Sequence, residues 1–599
     1  MPTVILTGPP VPGSPLQDEL RSLGFDVRPA AGPEDTATAL AGVPPQERVA
    51  VVDSAFVGHP HALRLALTDP RFDACAVTGA FAVQAGAREA LDKAAALAPA
   101  GGGPYADRLA AAVESAGTTV QRPELGSLVA AVPEGEAERS EALAAVAAVD
   151  DEAVRLRSAV KSRDGFFTTF FISPYSRYIA RWCARRGLTP NQVTTASLIT
   201  ALVAAGCAAT GERWGYVTAG VLLLVSFVLD CTDGQLARYS LQYSTMGAWL
   251  DATFDRAKEY SFYAGLALGA ARSGDDVWAL ALGSMILMTC RHVVDFSFNE
   301  ANHDATANTS PTAALSGRLD SVGWTVWVRR MIILPIGERW AMIAVLTAVT
   351  TPRTVFYALL AGCAFGALYT TAGRVLRSVT RKAGGTPSGS WGRTDRAARA
   401  LADLADSGVL AWTGYPRPTK RPDRAAPWLA LGVSVLMTGA ALTRDFGDPW
   451  LIGTAAAYAL FAGAAVSAPL KGPLDWLIPP LFRFGEYVTV LVLAAKSDVP
   501  GALPAAFGLV AAVAYHHYDT VYRIRGGSGA PPHWLVRTTG GHEGRVLLTV
   551  VLATVLARDA FPVALTAMAV FVALVVLVES IRFWVSSGAP AVHDEGEPA

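Results

Sequence analysis

Residues Asp230 to Asp255 read D-C-T-D-G-Q-L-A-R-Y-S-L-Q-Y-S-T-M-G-A-W-L-D-A-T-F-D and set four carboxylates beside two apolar runs. Asp230 ends the run Val217 to Leu229, and Asp251 and Asp255 open another that continues to Ala271. On helical backbone, residues three or four apart share a face, so Asp230 pairs with Asp233 and Asp251 with Asp255. A charge at the centre of a membrane helix costs roughly 2.5 to 3.5 kcal/mol on insertion scales, so such a group demands a cation among its acids. An all-carboxylate set suits Mg²⁺ or Mn²⁺ rather than zinc. Gly234 and Ala237 remove side-chain bulk beside the acids, and Arg238 offers a planar cation for phosphate oxygens. Gly247 lets the following helix pack closely.

With the spacing D-x2-D-G-x2-A-R-x8-G-x3-D-x3-D, this stretch resembles the signature of the CDP-alcohol phosphotransferases (CDP-alcohol phosphatidyltransferases), membrane enzymes that make phospholipid headgroups. All eight fixed positions match. The resemblance implies an integral-membrane enzyme that moves a substituted phosphate from a CDP-alcohol, of the CDP-diacylglycerol or CDP-inositol type, to an acceptor hydroxyl with release of CMP. It implies two divalent ions, Mg²⁺ or Mn²⁺, held by Asp230, Asp233, Asp251 and Asp255. CDP binding falls to Asp230, Gly234, Ala237, Arg238 and Gly247, and Asp255 becomes the catalytic base for the acceptor hydroxyl.

The acceptor's own charge needs cations, for which Arg329, Arg330 and Arg339 are candidates together with Arg291 and Lys258. A basic pocket favours a phosphorylated acceptor such as inositol phosphate or glycerol phosphate over a neutral amino alcohol. Two other classes compete. An intramembrane prenyltransferase also uses Asp pairs with Mg²⁺ but lacks the G-x2-A-R insert. A twelve-span transporter would place polar groups at the midplane of both halves.

The chain's composition points to the bilayer. Of 599 residues, 52% are hydrophobic and 17% charged, against about 25% charged in soluble proteins, and the mean hydropathy is +0.32. The net charge of −1 excludes nothing, because the basic residues are clustered. Six cysteines stand apart with no C-x-x-C pair, so neither a zinc site nor a disulfide framework is expected. Met1 to Gly13 lacks a basic start and an apolar core, so a cleavable signal peptide is not expected there.

The reading is therefore of a multi-domain chain, an α/β domain followed by an all-α polytopic membrane protein. Residues 1–150 alternate short β-type runs with helical patterns, which indicates an α/β domain with a largely parallel sheet. The turn in I-L-T-G-P-P-V-P-G-S-P-L, with Asp53 at the end of a later run, is similar to the layout of sugar nucleotidyltransferases, and in some relatives of the phosphotransferases a cytidylyltransferase precedes the membrane part. That family's loop carries an Arg and a Lys for triphosphate, whereas Pro9, Pro10 and Pro12 stand here, so the domain is expected to be degenerate. The fused domain's resemblance leans toward an inositol phosphate acceptor.

Residues 151–187 form a connector and an interfacial amphipathic helix, in which Phe166, Phe170, Tyr175, Tyr178 and Trp182 interleave with Arg177, Arg181, Arg185 and Arg186. A lipid surface, and no nucleic acid, is the expected partner of that helix. Residues 188–378 form the phosphotransferase domain, with spans at Val193–Thr210, Gly215–Asp230, Gly247–Ala271, Val277–Val294, Trp340–Thr350 and Thr354–Val375. Residues 379–426 are a linker with a short helix at Arg396–Leu404, and 427–585 a second membrane block of unassigned role. That block has spans at Trp428–Leu442, Trp450–Ala468, Ile478–Ala494, Ala502–Ala514, Val546–Ala557 and Phe561–Phe583, with 586–599 as a disordered tail.

Arg-rich loops at Arg177–Arg186, Arg329–Arg339 and Arg374–Arg424 place the acids and the N-terminal domain on the cytoplasmic face of a cell membrane. A homodimer is compatible with this reading. In the second block Arg483, Glu486, His516, His517, Asp519, Arg523, His542 and Glu543 fall within apolar surroundings and divide between a functional site and structural ion pairs. Adjacent His516 and His517 point to different faces of a helix, which disfavours zinc there.

Overall fold

The computed structural model of the chain describes residues 2–69, 72–97, 102–161, 164–302, 333–380, 395–414 and 425–586. Its N-terminal domain is built on a five-stranded sheet. The strands β1 (Thr3–Thr7), β2 (Asp26–Ala30), β3 (Val49–Asp53), β5 (Ala74–Val77) and β6 (Ala80–Val83) lie in the order β2-β1-β3-β6-β5. β1 pairs parallel with both β2 and β3, while β6 runs antiparallel to β3 and to β5. The strand alternation feeds two cores, as a sheet covered on both faces requires. Ile5, Val49, Val51 and Phe81 pack with Leu91 and Leu109 on one side, and Val4, Leu6 and Val52 with Leu16, Leu20 and Leu63 on the other. A two-stranded ribbon of β4 (Val57–Gly58) and β7 (Ala130–Ala131) closes the domain.

The helix expected at the membrane surface forms at Ser173–Arg185 and leaves Tyr175, Tyr178 and Trp182 exposed. The guanidinium groups of Arg177 and Arg181 lie 5.1 and 5.2 Å from the Tyr178 ring centre, so the basic and aromatic residues form one mixed surface.

Each expected span coincides with a helix. In the first block these are Pro190–Ala208, Arg213–Ser240, Thr245–Arg272, Trp278–Ala301, Ile336–Val349 and Pro352–Thr380. In the second they are Ala426–Thr443, Trp450–Val466, Ile478–Ser497, Ala502–Arg525, Gly541–Val555 and Phe561–Ser586. Among the described residues, seven helical stretches are long and apolar enough to cross a membrane by length and composition. Thr245–Arg272, Ile336–Val349, Trp450–Val466, Ala502–Arg525 and Gly541–Val555 do not meet that measure. They are either short or carry the ionisable residues discussed below. The linker helix appears at Asp395–Leu404, whereas the tail at 587–599 lies outside the described residues.

Small residues bring the site helices together. At Gly265 and Gly269 a Cβ would fall on the carbonyl oxygens of Ala205 and Ala208, so Thr245–Arg272 meets Pro190–Ala208 backbone to backbone. The second block packs on the first mainly through Trp278–Ala301, which lies against Ile478–Ser497 and Ala502–Arg525. The N-terminal domain also touches the bundle, where Arg64 Nη2 donates to Ser240 O at 2.6 Å.

Candidate active site

One unbroken helix, Arg213–Ser240, carries Asp230, Asp233, Gly234, Ala237 and Arg238. It ends at Leu241 in a left-handed conformation, φ 52°, and the chain reverses within four residues. Ser244 then caps the Thr245–Arg272 helix, its hydroxyl accepting the Gly247 N–H at 2.9 Å. A Cβ on Gly247 would lie 2.7 Å from Asn191 Oδ1, so only glycine lets this helix start so near the entry of Pro190–Ala208. That start fixes where Asp251 and Asp255 face the acids of the preceding helix.

One oxygen from each of Asp230, Asp233 and Asp251 lies within 4.8 Å of the other two. Asp233 is 4% exposed and its Oδ2 is buried without a hydrogen-bond partner, whereas Asp251 is exposed. A buried carboxylate oxygen left unpaired is costly unless a cation meets it. Three convergent carboxylates with one such oxygen fit a hard divalent cation, with Asp251 on the accessible side.

Asp255 makes a different contact. Its Oδ1 is 2.9 Å from Lys258 Nζ, and the same ammonium donates to Asp230 Oδ1 and, at 3.2 Å, to Ser197 Oγ. Ser197 in turn donates to Ser226 O at 2.9 Å, which ties the first two helices together beneath the acids. Lys258 is fully buried, so it is an internal counter-ion rather than a cation facing an acceptor.

The other expected acceptor residues divide similarly. Arg339 is buried and its Nε is 3.1 Å from Glu259 Oε1. Glu259 also takes Arg256 Nη1 at 2.7 Å and the Tyr263 hydroxyl at 2.7 Å, which gives this acid three partners. Arg291 Nη2 donates to Ile333 O, and its Nε is 3.9 Å from Asp295 Oδ2. Arg329 and Arg330 lie outside the described residues. Lys258 and Arg339 are held inside the bundle by an Asp pair and a Glu, respectively. Arg238 Nε donates to Ala159 O at 2.6 Å, and a Cβ on Gly234 would lie 3.5 Å from its guanidinium. Ala237, one turn along the same helix, is buried.

Sequence reasoning missed the Lys258 bridge and the Glu259 hub. The signal was present, since Lys258 and Glu259 follow Asp255 at helical spacing on an otherwise apolar run.

The N-terminal domain does not present Asp53 to a ligand. Its two carboxylate oxygens accept the N–H groups of Tyr105 (3.2 Å) and Ala106 (3.1 Å), so it caps the helix Tyr105–Ser115. Burial raises the Asp53 carboxyl above the usual range, and those two bonds act in the opposite sense. The first turn, Gly8 to Pro15, contains no cation; Ser54 Oγ donates to Pro9 O at 2.7 Å.

In the second block the ionisable residues form a matched cluster. Asp406, at the end of the linker helix segment, takes Arg545 Nη2 at 2.7 Å, Arg483 Nη2 at 3.0 Å and His516 Nε2 at 3.2 Å. Glu486 takes Arg545 Nε at 2.5 Å and Arg483 Nη1 at 3.1 Å. Glu543 accepts the Ala411 N–H at 3.2 Å, and His542 Nδ1 lies 2.8 Å from the Tyr458 hydroxyl. His517 turns away to His292, with ring centres 5.6 Å apart, so the adjacent histidines do face different neighbours. Nearby, Arg523 joins Asp519 and Glu579 at 2.9 and 2.6 Å.

Residues 187–379 match the CDP-alcohol phosphatidyltransferase family, and residues 395–599 match a family of unknown function (DUF5941). An archaetidylinositol phosphate synthase of Pyrococcus horikoshii is 33% identical over 115 residues, covering 19% of this chain and 58% of that protein. A bifunctional IPC transferase and DIPP synthase of Aquifex aeolicus is 27% identical over 204 residues, covering 33% of this chain and 45% of that protein. A phosphatidylinositol phosphate synthase of Streptomyces avermitilis is 30% identical over 130 residues, covering 20% and 51%. The chain thus spans about half the length of these curated relatives. Residues 187–379, where the eight signature positions line one helix pair, are thus similar to the CDP-alcohol phosphatidyltransferase family.

Proposed function

We propose that this protein transfers a substituted phosphate from a CDP-alcohol to the hydroxyl of a phosphorylated inositol, releasing CMP. The convergence of Asp230, Asp233 and Asp251 around a buried, unpartnered carboxylate oxygen carries the reading. The names of the relatives, among them an archaetidylinositol phosphate synthase and a phosphatidylinositol phosphate synthase, favour the acceptor. In the balanced step the acceptor oxygen bonds to the phosphorus that bears the donor alcohol. The bond from that phosphorus to the CMP oxygen breaks, and the hydroxyl proton passes to Asp255. Asp230, Asp233 and Asp251 would hold a divalent ion, Mg²⁺ or Mn²⁺, which draws charge off the attacked phosphate. Gly234 and Ala237 leave room for the donor beside those acids, and Arg238 lies one turn further along the same helix. Arg329 and Arg330, with Arg291, are the proposed acceptor cations.

The donor is proposed to be CDP-diacylglycerol or CDP-inositol, entering from the cytoplasmic side of the cell membrane, where the Arg-rich loops and the N-terminal domain would lie. The N-terminal domain is read as degenerate, because its first turn lacks cations and Asp53 serves as a helix cap. A homodimer is compatible with this reading. The test is CMP release by the purified full-length protein with Mg²⁺, offering each donor with inositol phosphate, glycerol phosphate or free inositol. Mg²⁺-dependent CMP release with the phosphorylated inositol is expected; release with free inositol alone would discard the acceptor, and none with any pair would discard the reaction.

A further inference from the structure

We infer that Lys258 is a resident cation filling one of the two metal positions that four carboxylates would otherwise offer, so that this chain binds a single divalent ion through Asp230, Asp233 and Asp251. The inference rests on the proposed reading of the acids as a metal-dependent site.

The ammonium has three donors and no acceptor capacity. Two are used in hydrogen bonds, to Asp230 Oδ1 and to Ser197 Oγ at 3.2 Å, and Asp255 Oδ1 lies at ion-pair distance, 2.9 Å. These are three oxygens from three different helices, Arg213–Ser240, Thr245–Arg272 and Pro190–Ala208, and two of them are carboxylates. Such a set is what a hard cation would take, and here a covalently tethered charge occupies it. Lys258 is fully buried, with Nζ 5.5 Å from the centre of the Trp340 ring. A metal ion entering between Asp255 and Asp230 would have to expel this ammonium from its two carboxylate partners among the described residues, leaving a buried cation unpaired there.

Asp230 is shared between the ammonium and the converging acids. Asp230, Asp233 and Asp251 converge within 4.8 Å of one another, and this group does not include Asp255. Asp233 Oδ2 is buried without a hydrogen-bond partner, as is Asp255 Oδ1, which has the Lys258 ammonium at ion-pair distance. Four carboxylates then meet three positive charges, two from the divalent ion and one from Lys258. A second divalent ion would reverse the sign of the site and set like charges in contact. Asp255 is thereby reserved for the acceptor proton instead of sharing that role with metal ligation.

The experiment titrates Mn²⁺ into the purified full-length protein and follows bound metal per chain together with the electron paramagnetic resonance spectrum. The wild type should bind about one Mn²⁺ per chain with the six-line signal of an isolated ion. Lys258→Met, which keeps the stem and removes the charge, should admit a second Mn²⁺ and show the broadened signal of a coupled pair. Two coupled ions in the wild type would overturn the inference while sparing the metal reading, and this arm decides the matter even where Lys258→Met does not fold. A folded Lys258→Met that still binds one ion would also overturn it. Mn²⁺ binding absent from the wild type, or unchanged in Asp233→Asn, would remove the metal reading together with the inference.

Discussion

Both membrane halves bury ionisable clusters, yet the two are built on opposite principles. In the first half four aspartates face one ammonium, one of them is exposed, and a buried oxygen of Asp233 has no partner. In the second half Asp406 and Glu486 face Arg483 and Arg545, all at most 3% exposed, and each acid contacts both guanidinium groups. A cluster with an excess of one sign and an open side needs something from outside. A cluster whose acids and guanidinium groups balance one another instead fixes the elements that contribute to it. Asp406 adopts a left-handed backbone, φ 52°, which its three cationic or imidazole partners hold in place. The second cluster is therefore a clasp between the linker and three C-terminal helices, whereas the first is the proposed ligand site.

The largest expected effect tests the excess. Asp233→Asn should abolish Mg²⁺-dependent CMP release, by ~10³-fold or more, since a metal ion supplies several kcal/mol of transition-state stabilisation and each 1.36 kcal/mol is tenfold. It should also weaken Mn²⁺ binding, measured by calorimetric titration. Asp255→Asn should match the loss of turnover while keeping Mn²⁺ affinity, because this acid pairs with Lys258 and is not among the converging three. Equal loss of metal binding in both variants would collapse the distinction between ligand and base.

The matched cluster should respond in stability instead. Arg545→Met removes one of the two cations shared by Asp406 and Glu486 and leaves buried acids short of a partner. Breaking such a pair costs roughly 3–5 kcal/mol. Thermal unfolding of the detergent-solubilised protein should shift accordingly, with Mn²⁺ affinity unchanged. A folded Arg545→Met that loses metal binding would show that the two clusters are coupled rather than independent.

The sequence made the first cluster legible because its eight residues lie within one short stretch, so spacing alone could reveal the shared face. The helices followed from apolar runs, and the N-terminal sheet from short β-branched runs. What spacing could not show was partner choice across helices. Lys258 looked available because nothing local opposes it, and only the approach of Arg213–Ser240 puts Asp230 against it. Arg339 meets Glu259 across 80 positions, and Asp406 meets Arg545 across 139. Asp53 ends a strand as a metal ligand could, yet a helix start 52 residues later takes its oxygens.

A smaller effect concerns the contact between the N-terminal domain and the helix of Asp230 and Asp233. A protein starting near Glu134 loses the Arg64 bond to Ser240 O but keeps Ala159, the partner of Arg238. A charged hydrogen bond contributes about 1.5–3 kcal/mol at most, and this one is part-buried and remote from the acids. CMP release from a preformed CDP-alcohol should fall by less than about tenfold, at 1.36 kcal/mol per decade. Complete loss in a folded truncation would place the domain in the chemistry.

The smallest effect comes from a third kind of buried ionisable group, one with no partner at all. His61 lies within the helix Pro60–Leu67, and neither ring nitrogen has a hydrogen-bond partner. Burial, reinforced by the nearby Arg155, pushes its pKa down from 6.5 to about 4, with Asp151 acting weakly in the opposite sense. Above pH 6.5 the ring is neutral in both folded and unfolded chains, and the domain has its full stability. Between pH 6.5 and about 4 the unfolded chain takes a proton that the folded chain refuses, so stability falls as the pH falls. The loss is about 1 kcal/mol by pH 5.5 to 6 and continues to grow toward the folded value. It should appear as an acid-side decline in the N-terminal unfolding transition, followed by circular dichroism. His61→Leu keeps the site apolar and should flatten that decline without altering Mn²⁺ binding. If the slope persists in His61→Leu, another group governs it, and the partnerless histidine is as well accommodated when charged as the matched ions of the second half.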